Sequence, residues 1–142
     1  MQLTDFPFVT TDKVRYNDTD RQGHVNNAVF ATYMELARVE VLHHSDLGLR
    51  EDGASLVLAR LVIDFRAEIH FPGEVQVGTR VGKVGRSSIA FENAIFQHGQ
   101  LCGYGEAVVV LVDGSTKRSR PISDASRAGL ERYVAQGEAA QP

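Results

Sequence analysis

A short polar loop, residues 17–26, carries the side chains of this sequence that are best suited to chemistry. It contains Asp20, whose carboxylate is ionised at neutral pH and can act as a general base or as a nucleophile. A long apolar segment that begins at Ala28 follows the loop and predicts a helix. The first N–H groups of a helix have no intrahelical acceptor, so they can stabilise an oxyanion close to the acid. One short segment therefore supplies both a base and an electrophile stabiliser.

Each polar residue of this loop also has a simpler, structural interpretation. Asp20 could be only a turn residue, because Asp side chains commonly accept hydrogen bonds from their own loop backbone. Asp18 is interpreted as structural, accepting hydrogen bonds from amides of the loop. Asn26 or Asn27 is expected to cap the following helix, since Asn accepts hydrogen bonds from the free amides of a first turn. Gly23 would let a substrate approach the backbone without a side chain in the way.

The loop and the start of the helix also carry a recognisable motif. Residues 18–27 read Asp-Thr-Asp-x-x-Gly-His-Val-Asn-Asn, and residues 30–38 continue as Phe-x-x-Tyr-x-Glu-x-Ala-Arg. This pattern resembles the opening motif of the hotdog-fold acyl-CoA thioesterases, the group typified by 4-hydroxybenzoyl-CoA thioesterase. The order of the later elements is similar to that family through about residue 121. The resemblance implies an enzyme that hydrolyses an acyl-CoA to the free acid and coenzyme A.

The resemblance also assigns roles to individual residues. Asp20 takes the position of the catalytic carboxylate, which either attacks the thioester carbonyl or activates a water that does so. The backbone N–H of Asn27 takes the position of the oxyanion donor. Arg86 takes the position at which the family binds the coenzyme, although a solvated turn explains it equally well. Core packing is likewise an alternative for the apolar members of the expected substrate-binding set, which comprises Gly23, His24, Val25, Phe30, Tyr33, Arg86, Ser87 and Ser88.

Two other functions stay open on the sequence alone. His24 can act as a general base beside a carboxylate, which is how hotdog dehydratases move protons on an acyl thioester. The dehydratase histidine has a different sequence frame, so a role for His24 in bracing the loop or lining the substrate is preferred. The other alternative is a non-catalytic module that binds acyl thioesters. No dinucleotide or phosphate-loop fingerprint is present, so no bound cofactor is expected. The sequence has no His-x-x-x-His spacing, so no metal site is expected.

The overall composition is that of a single globular domain spanning residues 1–142. The chain has 43% hydrophobic and 23% charged residues, values typical of ordinary folded proteins. A net charge of -3 gives no electrostatic footprint for nucleic acid or for an anionic membrane. The sequence starts without a signal-peptide pattern and has no apolar run of membrane-spanning length. Because Cys102 is the one cysteine, no internal disulfide can form, and we expect a cytoplasmic protein.

The hydrophobic pattern predicts the elements that position the loop. Alternating apolar residues predict a first strand at 6–16. A helix is predicted from 28 to about 44, and its apolar residues cover too wide an arc for a surface helix, so it is expected to be largely buried. A short helix is predicted at 123–136 with Ser123 as its cap, and the tail from residue 137 is expected to fray. Four further strands are predicted at 55–67, 74–84, 87–97 and 101–112.

This order predicts an α+β architecture, with a five-stranded antiparallel sheet wrapped around one long central helix. The core spans about residues 6–121, and the resemblance identifies it as a hotdog fold. Sheet edges need cover, and hotdog thioesterases pair two sheets with the sites at the subunit interface, so a homodimer or homotetramer is expected. One hypothesis is that His70 and Phe71, just before the turn at Pro72 and Gly73, reach the site of a neighbouring subunit.

Overall fold

The computed structural model of the protein describes residues 1–43, 47–49 and 53–134. Its elements follow the predicted order, with short 3-10 turns at Leu3–Asp5, Tyr16–Asp18 and Glu131–Tyr133. The strands and helices are β1 (Phe8–Lys13), α1 (Asn27–Leu42), β2 (Ala54–Phe65), β3 (Glu74–Val84), β4 (Ser88–Gln97), β5 (Gln100–Asp113) and α2 (Asp124–Leu130). No helix among the described residues is both long enough and apolar enough to cross a membrane.

Two predicted elements are longer than the observed ones by several residues. The first strand was expected at 6–16, but only Phe8–Lys13 pairs with β3. Phe6 and Val14 are nevertheless buried, with 5% and 2% of their surface exposed. The alternation of apolar residues therefore predicted buried positions correctly, although the paired strand is shorter. The second helix is seven residues long, ends at Leu130 and continues as a 3-10 turn. The rest of that prediction, 135–136, and the tail lie outside the described residues.

The five strands form one antiparallel sheet in the order β1-β3-β4-β5-β2, which confirms the predicted architecture. β3, β4 and β5 are consecutive neighbours, with Val77 opposite Ile95 and Ile95 opposite Gly103. β2 returns from α1 to the far side of β5 and runs along it from Ala54 to Phe65. In the described part of the chain the other side of β2 pairs with no strand, so this 12-residue strand is an open edge of the sheet.

The helix α1 lies across one face of the sheet, and the side of the helix that contacts the sheet is buried along its length. Met34, Ala37 and Val41 have no exposed surface, and the two ends of the helix contact two different apolar clusters. The first half packs with Ile69, Val75, Val77, Ile95 and Cys102, and the second half packs with Val81, Ile89, Phe91, Val109 and Leu111. The cluster at the first half is therefore the one that supports the loop before the helix.

Glycine residues of β5 allow this close approach of helix and sheet. A Cβ at Gly105 would lie 2.5 Å from the sulfur of Met34, and one at Gly103 would lie 2.9 Å from the Phe30 ring. Any larger residue at these two positions would push α1 away from the strand. The position of the α1 N-terminus, and of the loop that precedes it, thus depends on the presence of glycine at these two positions of β5.

Candidate active site

The loop before α1 folds into a tight turn that presents Asp20. Thr19 and Val25 pair as an isolated antiparallel bridge, and the Asp20 N–H donates to the His24 carbonyl at 2.8 Å. Gly23 donates to the Asp20 carbonyl at 3.1 Å with a φ of 83°, a left-handed conformation that favours glycine. A Cβ at Gly23 would meet nothing within 4 Å. The backbone conformation, rather than a lack of space, therefore requires this glycine.

The two carboxylate oxygens of Asp20 have different surroundings. Oδ1 accepts the N–H of Gln22 at 2.8 Å and the N–H of His24 at 3.3 Å, which is the local turn bonding that the sequence suggested. Oδ2 makes no hydrogen bond to any other residue within the described ranges, and the Asp20 side chain is exposed. The turn-residue interpretation and the catalytic interpretation are thus compatible, because each uses a different oxygen.

Asp18 holds the loop against the helix, which confirms its structural interpretation. Its Oδ2 accepts the N–H of Arg15 at 2.8 Å and the hydroxyl of Tyr33 at 2.7 Å. Tyr33 has only 1% of its surface exposed and lies in the core, so it braces Asp18 and does not line the hollow described below. Burial and the bond to Asp18 both raise the pKa of Tyr33 far above its ordinary value. This tyrosine is accordingly a positioning residue.

The start of α1 combines a side-chain cap with an unused backbone donor. Asn26 is the cap, because its side-chain oxygen accepts the N–H of Ala28 at 2.9 Å and its carbonyl accepts that of Val29 at 2.9 Å. The N–H of Asn27, the first residue of the helix, has no intrahelical acceptor and bonds to no other residue in the described part of the chain. It is free to donate to a bound group.

A hollow of about 310 Å³ brings these groups together. Its wall includes the expected site residues Asp20, His24, Val25, Asn27 and Phe30. The end of β2 and the segment after it complete the wall with Phe65, Arg66, Ala67 and Glu68. The residues that carry the free carboxylate oxygen and the free backbone donor therefore line one cavity at the positive end of the α1 dipole.

The expected coenzyme-binding segment lies elsewhere in the same chain. Residues 86–88 comprise the end of the turn between β3 and β4 and the first residue of β4. The Leu111 N–H donates to the Ser87 carbonyl and the Ile122 N–H donates to the Arg86 carbonyl, both at 2.8 Å. This turn adjoins the cluster at the C-terminal half of α1, whereas the hollow adjoins its N-terminus. A 16-residue helix is about 24 Å long, so one chain does not bring the two groups together.

One group of side chains at the hollow was missed by the sequence analysis. His24 Nε2 lies 3.1 Å from Glu68 Oε2, and His70 Nε2 lies 3.7 Å from the same oxygen. His70 thus contacts residues of its own chain, through an isolated backbone bridge to His24. Nothing local in the sequence marks this contact, because it depends on how the loop meets the segment after β2.

A larger hollow of about 630 Å³ lies beside the second half of α1 and the start of β2. The largely buried residue Arg38 lies on its wall together with Glu35 and His43. Arg38 donates to the side chain of Asn93 at 3.2 Å, and burial lowers its pKa. This hollow contains neither Asp20 nor the free helix N-terminus, so the smaller one is the better candidate for chemistry in spite of its size.

Known proteins share this architecture and this motif. The family model described as "Thioesterase-like superfamily" matches residues 14–130, a range that includes the loop, α1, all of β2 to β5 and α2. The chain belongs to the thioesterase-like superfamily. The resemblance expected from the motif at residues 18–38 is thereby confirmed, and so are the hotdog fold and the class of enzyme: this thioesterase is a thioester hydrolase.

Individual relatives agree with this assignment. The thioesterase is 25% identical over 114 residues to the acyl-CoA thioester hydrolase YbgC of Escherichia coli, covering 78% of this chain and 85% of that protein. A thioesterase from Thermus thermophilus, solved with coenzyme A and Zn, is 37% identical with a TM-score of 0.78, covering 89% of this chain and 93% of that one. The PA5185 protein of Pseudomonas aeruginosa has a TM-score of 0.86 at 25% identity, covering 96% of this chain and 98% of that one.

Proposed function

We propose that this thioesterase hydrolyses an acyl-CoA to the free acid and coenzyme A, with Asp20 and the Asn27 N–H as its reacting groups. The observation that supports the proposal is one hollow lined by both Asp20, which has an unbonded carboxylate oxygen, and Asn27, which has an unbonded backbone N–H. The YbgC relative is named an acyl-CoA thioester hydrolase, and the Thermus thermophilus relative was solved with coenzyme A. These names support coenzyme A as the leaving thiol.

The chemistry needs one proton acceptor and one oxyanion donor. In the general-base route, Asp20 Oδ2 takes a proton from water while the water oxygen bonds to the acyl carbon. The carbonyl electrons move onto oxygen, where the Asn27 N–H stabilises them. When the carbonyl re-forms, the carbon–sulfur bond breaks, and the proton held by Asp20 passes to the departing thiolate. The products are a carboxylic acid and free coenzyme A.

In the nucleophilic route the same oxygen attacks the carbonyl carbon directly. Coenzyme A leaves first, an anhydride joins the acyl group to Asp20, and water then hydrolyses the anhydride. A single turnover in oxygen-labelled water identifies the nucleophilic route if the label appears in the enzyme. The general-base route puts the label in the released acid, and water attack on the Asp20 carbonyl of the anhydride puts it in the enzyme.

A homodimer is part of the proposal, because the open edge of β2 is suited to self-pairing. This strand exposes four apolar side chains, at 41–50% of their surface: Val57, Leu58, Val62 and Phe65. A long exposed apolar edge strand is a template for pairing with another strand, and most homodimers use a two-fold axis. An antiparallel pair of β2 strands would join two five-stranded sheets into one continuous sheet.

This arrangement would also complete the coenzyme site. Phe65, at the C-terminal end of β2, lines the hollow together with Asp20. The N-terminal half of β2 lies near the start of β4 at Ser88, because both pair with the same part of β5. In an antiparallel pair, the N-terminal end of one β2 lies beside the C-terminal end of the other. The 86–88 turn of one copy would then approach the Asp20 hollow of its partner, where Arg86 can bind a phosphate of the coenzyme.

The direct test is hydrolysis of a panel of acyl-CoAs that differ in chain length and ring content, followed by release of free thiol. We expect thiol release with at least one member, and loss of this release when Asp20 is replaced by Asn. A protein that bound acyl-CoA without releasing thiol would contradict the proposal and favour a binding module. The cytoplasmic location expected from the single cysteine also belongs to this proposal, since Cys102 is buried and unpaired.

The dehydratase alternative has one supporting observation, the 3.1 Å contact between His24 and Glu68. A histidine beside a carboxylate is able to move protons on an acyl thioester. The same purified protein can therefore be offered an enoyl-CoA, with the loss of the conjugated double bond followed separately from thiol release. Hydration without thiol release would replace the hydrolase proposal by this alternative.

A further inference from the structure

We propose that His24, Glu68 and His70 bind one divalent metal ion of the zinc class at the mouth of the Asp20 hollow. The donor atoms of these three side chains all lie within 4.8 Å of one another, the only such group among the residues that the structure describes. None of the three was expected from the sequence to bind a metal. The proposal does not depend on the proposed hydrolysis.

The distance of each histidine nitrogen from the shared carboxylate oxygen is close to the donor spacing that a tetrahedral ion requires. Donors at 2.0–2.2 Å from zinc, separated by the tetrahedral angle, are about 3.4 Å apart. The shared oxygen Glu68 Oε2 lies 3.1 Å from His24 Nε2 and 3.7 Å from His70 Nε2, which brackets this value. The two imidazole rings are perpendicular, at 88°, with centroids 5.3 Å apart, so their Nε2 edges converge on the carboxylate. Small side-chain rotations suffice to bring the three donors onto one ion.

The backbone positions of the two histidines are fixed by contacts that a metal would not disturb. The Gln97 side chain accepts the N–H of His70 at 2.9 Å and donates to its carbonyl at 2.9 Å. His24 is held by its N–H bond to Asp20 and by its antiparallel bridge to His70. Ligands whose backbones are already positioned lose less entropy on binding an ion, which is a requirement of a good metal site.

The donor set selects the class of ion. Two imidazole nitrogens and one carboxylate oxygen suit zinc and similar first-row divalent ions, whereas magnesium and calcium prefer oxygen donors only. Three protein donors leave a fourth tetrahedral position, as in exchangeable zinc sites. The side chains of Glu68 and His70 are 59% and 60% exposed, so an ion has free access and the fourth position can hold water.

Binding would join two segments that are distant in the sequence. His24 belongs to the loop before α1, and Glu68 and His70 follow β2, so an ion would close a loop of more than forty residues. A ligand that binds only the folded state raises the melting temperature by an amount that grows with the logarithm of the free ligand concentration above the dissociation constant. Metal binding therefore has a readout that is independent of catalysis.

The experiment uses the full chain without a histidine tag, thermal unfolding with and without Zn²⁺, and titration against a chromophoric chelator. We expect one Zn²⁺ per chain and, at about a hundredfold excess over the dissociation constant, a melting temperature raised by at least about 5 °C. Mg²⁺ at the same concentration should leave the melting temperature unchanged. Absence of a Zn²⁺ shift would overturn the proposal.

Matched variants locate the ion. His70→Ala and Glu68→Gln should each weaken Zn²⁺ binding by at least about tenfold, since loss of a ligand costs that much or more. His98→Asn is the control, because His98 is exposed on the β4–β5 turn with a φ of 50°, which Asn also adopts. Equal Zn²⁺ binding by all three variants would show an adventitious ion only and would refute the site. Glu68→Gln keeps the test decisive if His70→Ala does not fold.

Discussion

The Tyr33 hydroxyl donates a 2.7 Å hydrogen bond to Asp18 Oδ2 and so ties the middle of the buried helix to the loop that presents Asp20. Tyr33 is held in the core by its neighbours, and Asp18 in turn accepts the N–H of Arg15. The loop is therefore positioned from below by the helix that follows it. This relationship explains how an exposed acid keeps a fixed position beside the helix N-terminus.

Replacing Tyr33 by Phe should lower stability and change its dependence on pH. Loss of a hydrogen bond to a carboxylate should cost about 1.5–3 kcal/mol at neutral pH. Because burial and Asp18 raise the pKa of Tyr33, the folded chain keeps this proton when the unfolded chain, with a tyrosine pKa near ~10, has lost it. This stabilisation is complete below about pH 10 and falls as pH rises towards the raised pKa. Tyr33→Phe should lack that part of the fall.

Urea unfolding at neutral pH and near pH ~11 measures both effects. Tyr16→Phe is the control, since Tyr16 is 76% exposed and its variant should follow wild type at both values. Burial raises the pKa of Tyr104 to about 12, so some alkaline destabilisation persists in every variant. Identical pH profiles for wild type and Tyr33→Phe would contradict the account of Tyr33 as a brace.

Removing the N–H of Asn27 without changing the helix should reduce turnover. Proline is tolerated at the first position of a helix, and the preceding residue Asn26 has a φ of -59° and a ψ of 140°, which a following proline permits. Asn27→Pro should therefore fold and lower kcat by about 10²- to 10³-fold, as loss of an oxyanion donor does. Asn27→Ala keeps the N–H and should retain most of kcat. Equal kcat values for the two variants would exclude the backbone donor.

A charge on the open edge of β2 should separate the subunits. Val57 is 44% exposed on this strand, so Val57→Lys should change the stability of a single chain by only about 0.5 kcal/mol or less. It should shift the protein towards monomer in size-exclusion chromatography with light scattering, and thiol release should fall with the dimer. Val9→Lys, at a 42% exposed position on the opposite edge strand β1, should stay dimeric. A Val57→Lys dimer with full activity would exclude this interface.

Mixed dimers test whether one site draws on two chains. Asp20→Asn and Arg86→Ala subunits, each impaired alone, would form hybrids in which one site carries both substitutions and the other carries neither. Random pairing makes half of the dimers hybrid, so thiol release at low substrate should recover to about one quarter of wild type. If Asp20 and Arg86 served the same chain's site, mixing would recover nothing.

The sequence predicted the elements well wherever burial follows a local period. β3 was predicted at 74–84 and occupies Glu74–Val84, and α1 begins one residue before its predicted start. These predictions succeeded because apolar side chains at a fixed spacing indicate which face of an element is buried. The same pattern could not say that Tyr33 bonds to Asp18 instead of facing a substrate, since both positions are compatible with a buried helix face.

The parts of the site that were missed all depend on contacts between distant segments. Glu68 reaches His24 only because the loop before α1 pairs with the segment after β2, and no local periodicity encodes that pairing. The separation of Arg86 from Asp20 likewise follows from the lengths of the strands and of α1. Motif resemblance assigned both residues to one site at a subunit interface, and in the dimer that we propose the second chain brings them together.

The measurement that tests the central claim most directly compares Asp20→Asn with wild type in thiol release and in binding of coenzyme A. Asn keeps an oxygen for the N–H groups of Gln22 and His24, so the loop should keep its fold while the base is lost. Asp18→Asn is the control, because that carboxylate bonds to Arg15 and Tyr33 and does not line the hollow. We predict that Asp20→Asn loses kcat by about 10²- to 10⁴-fold with coenzyme A binding unchanged, and that folded Asp18→Asn retains turnover. Turnover by Asp20→Asn equal to that of wild type would contradict the assignment of this carboxylate.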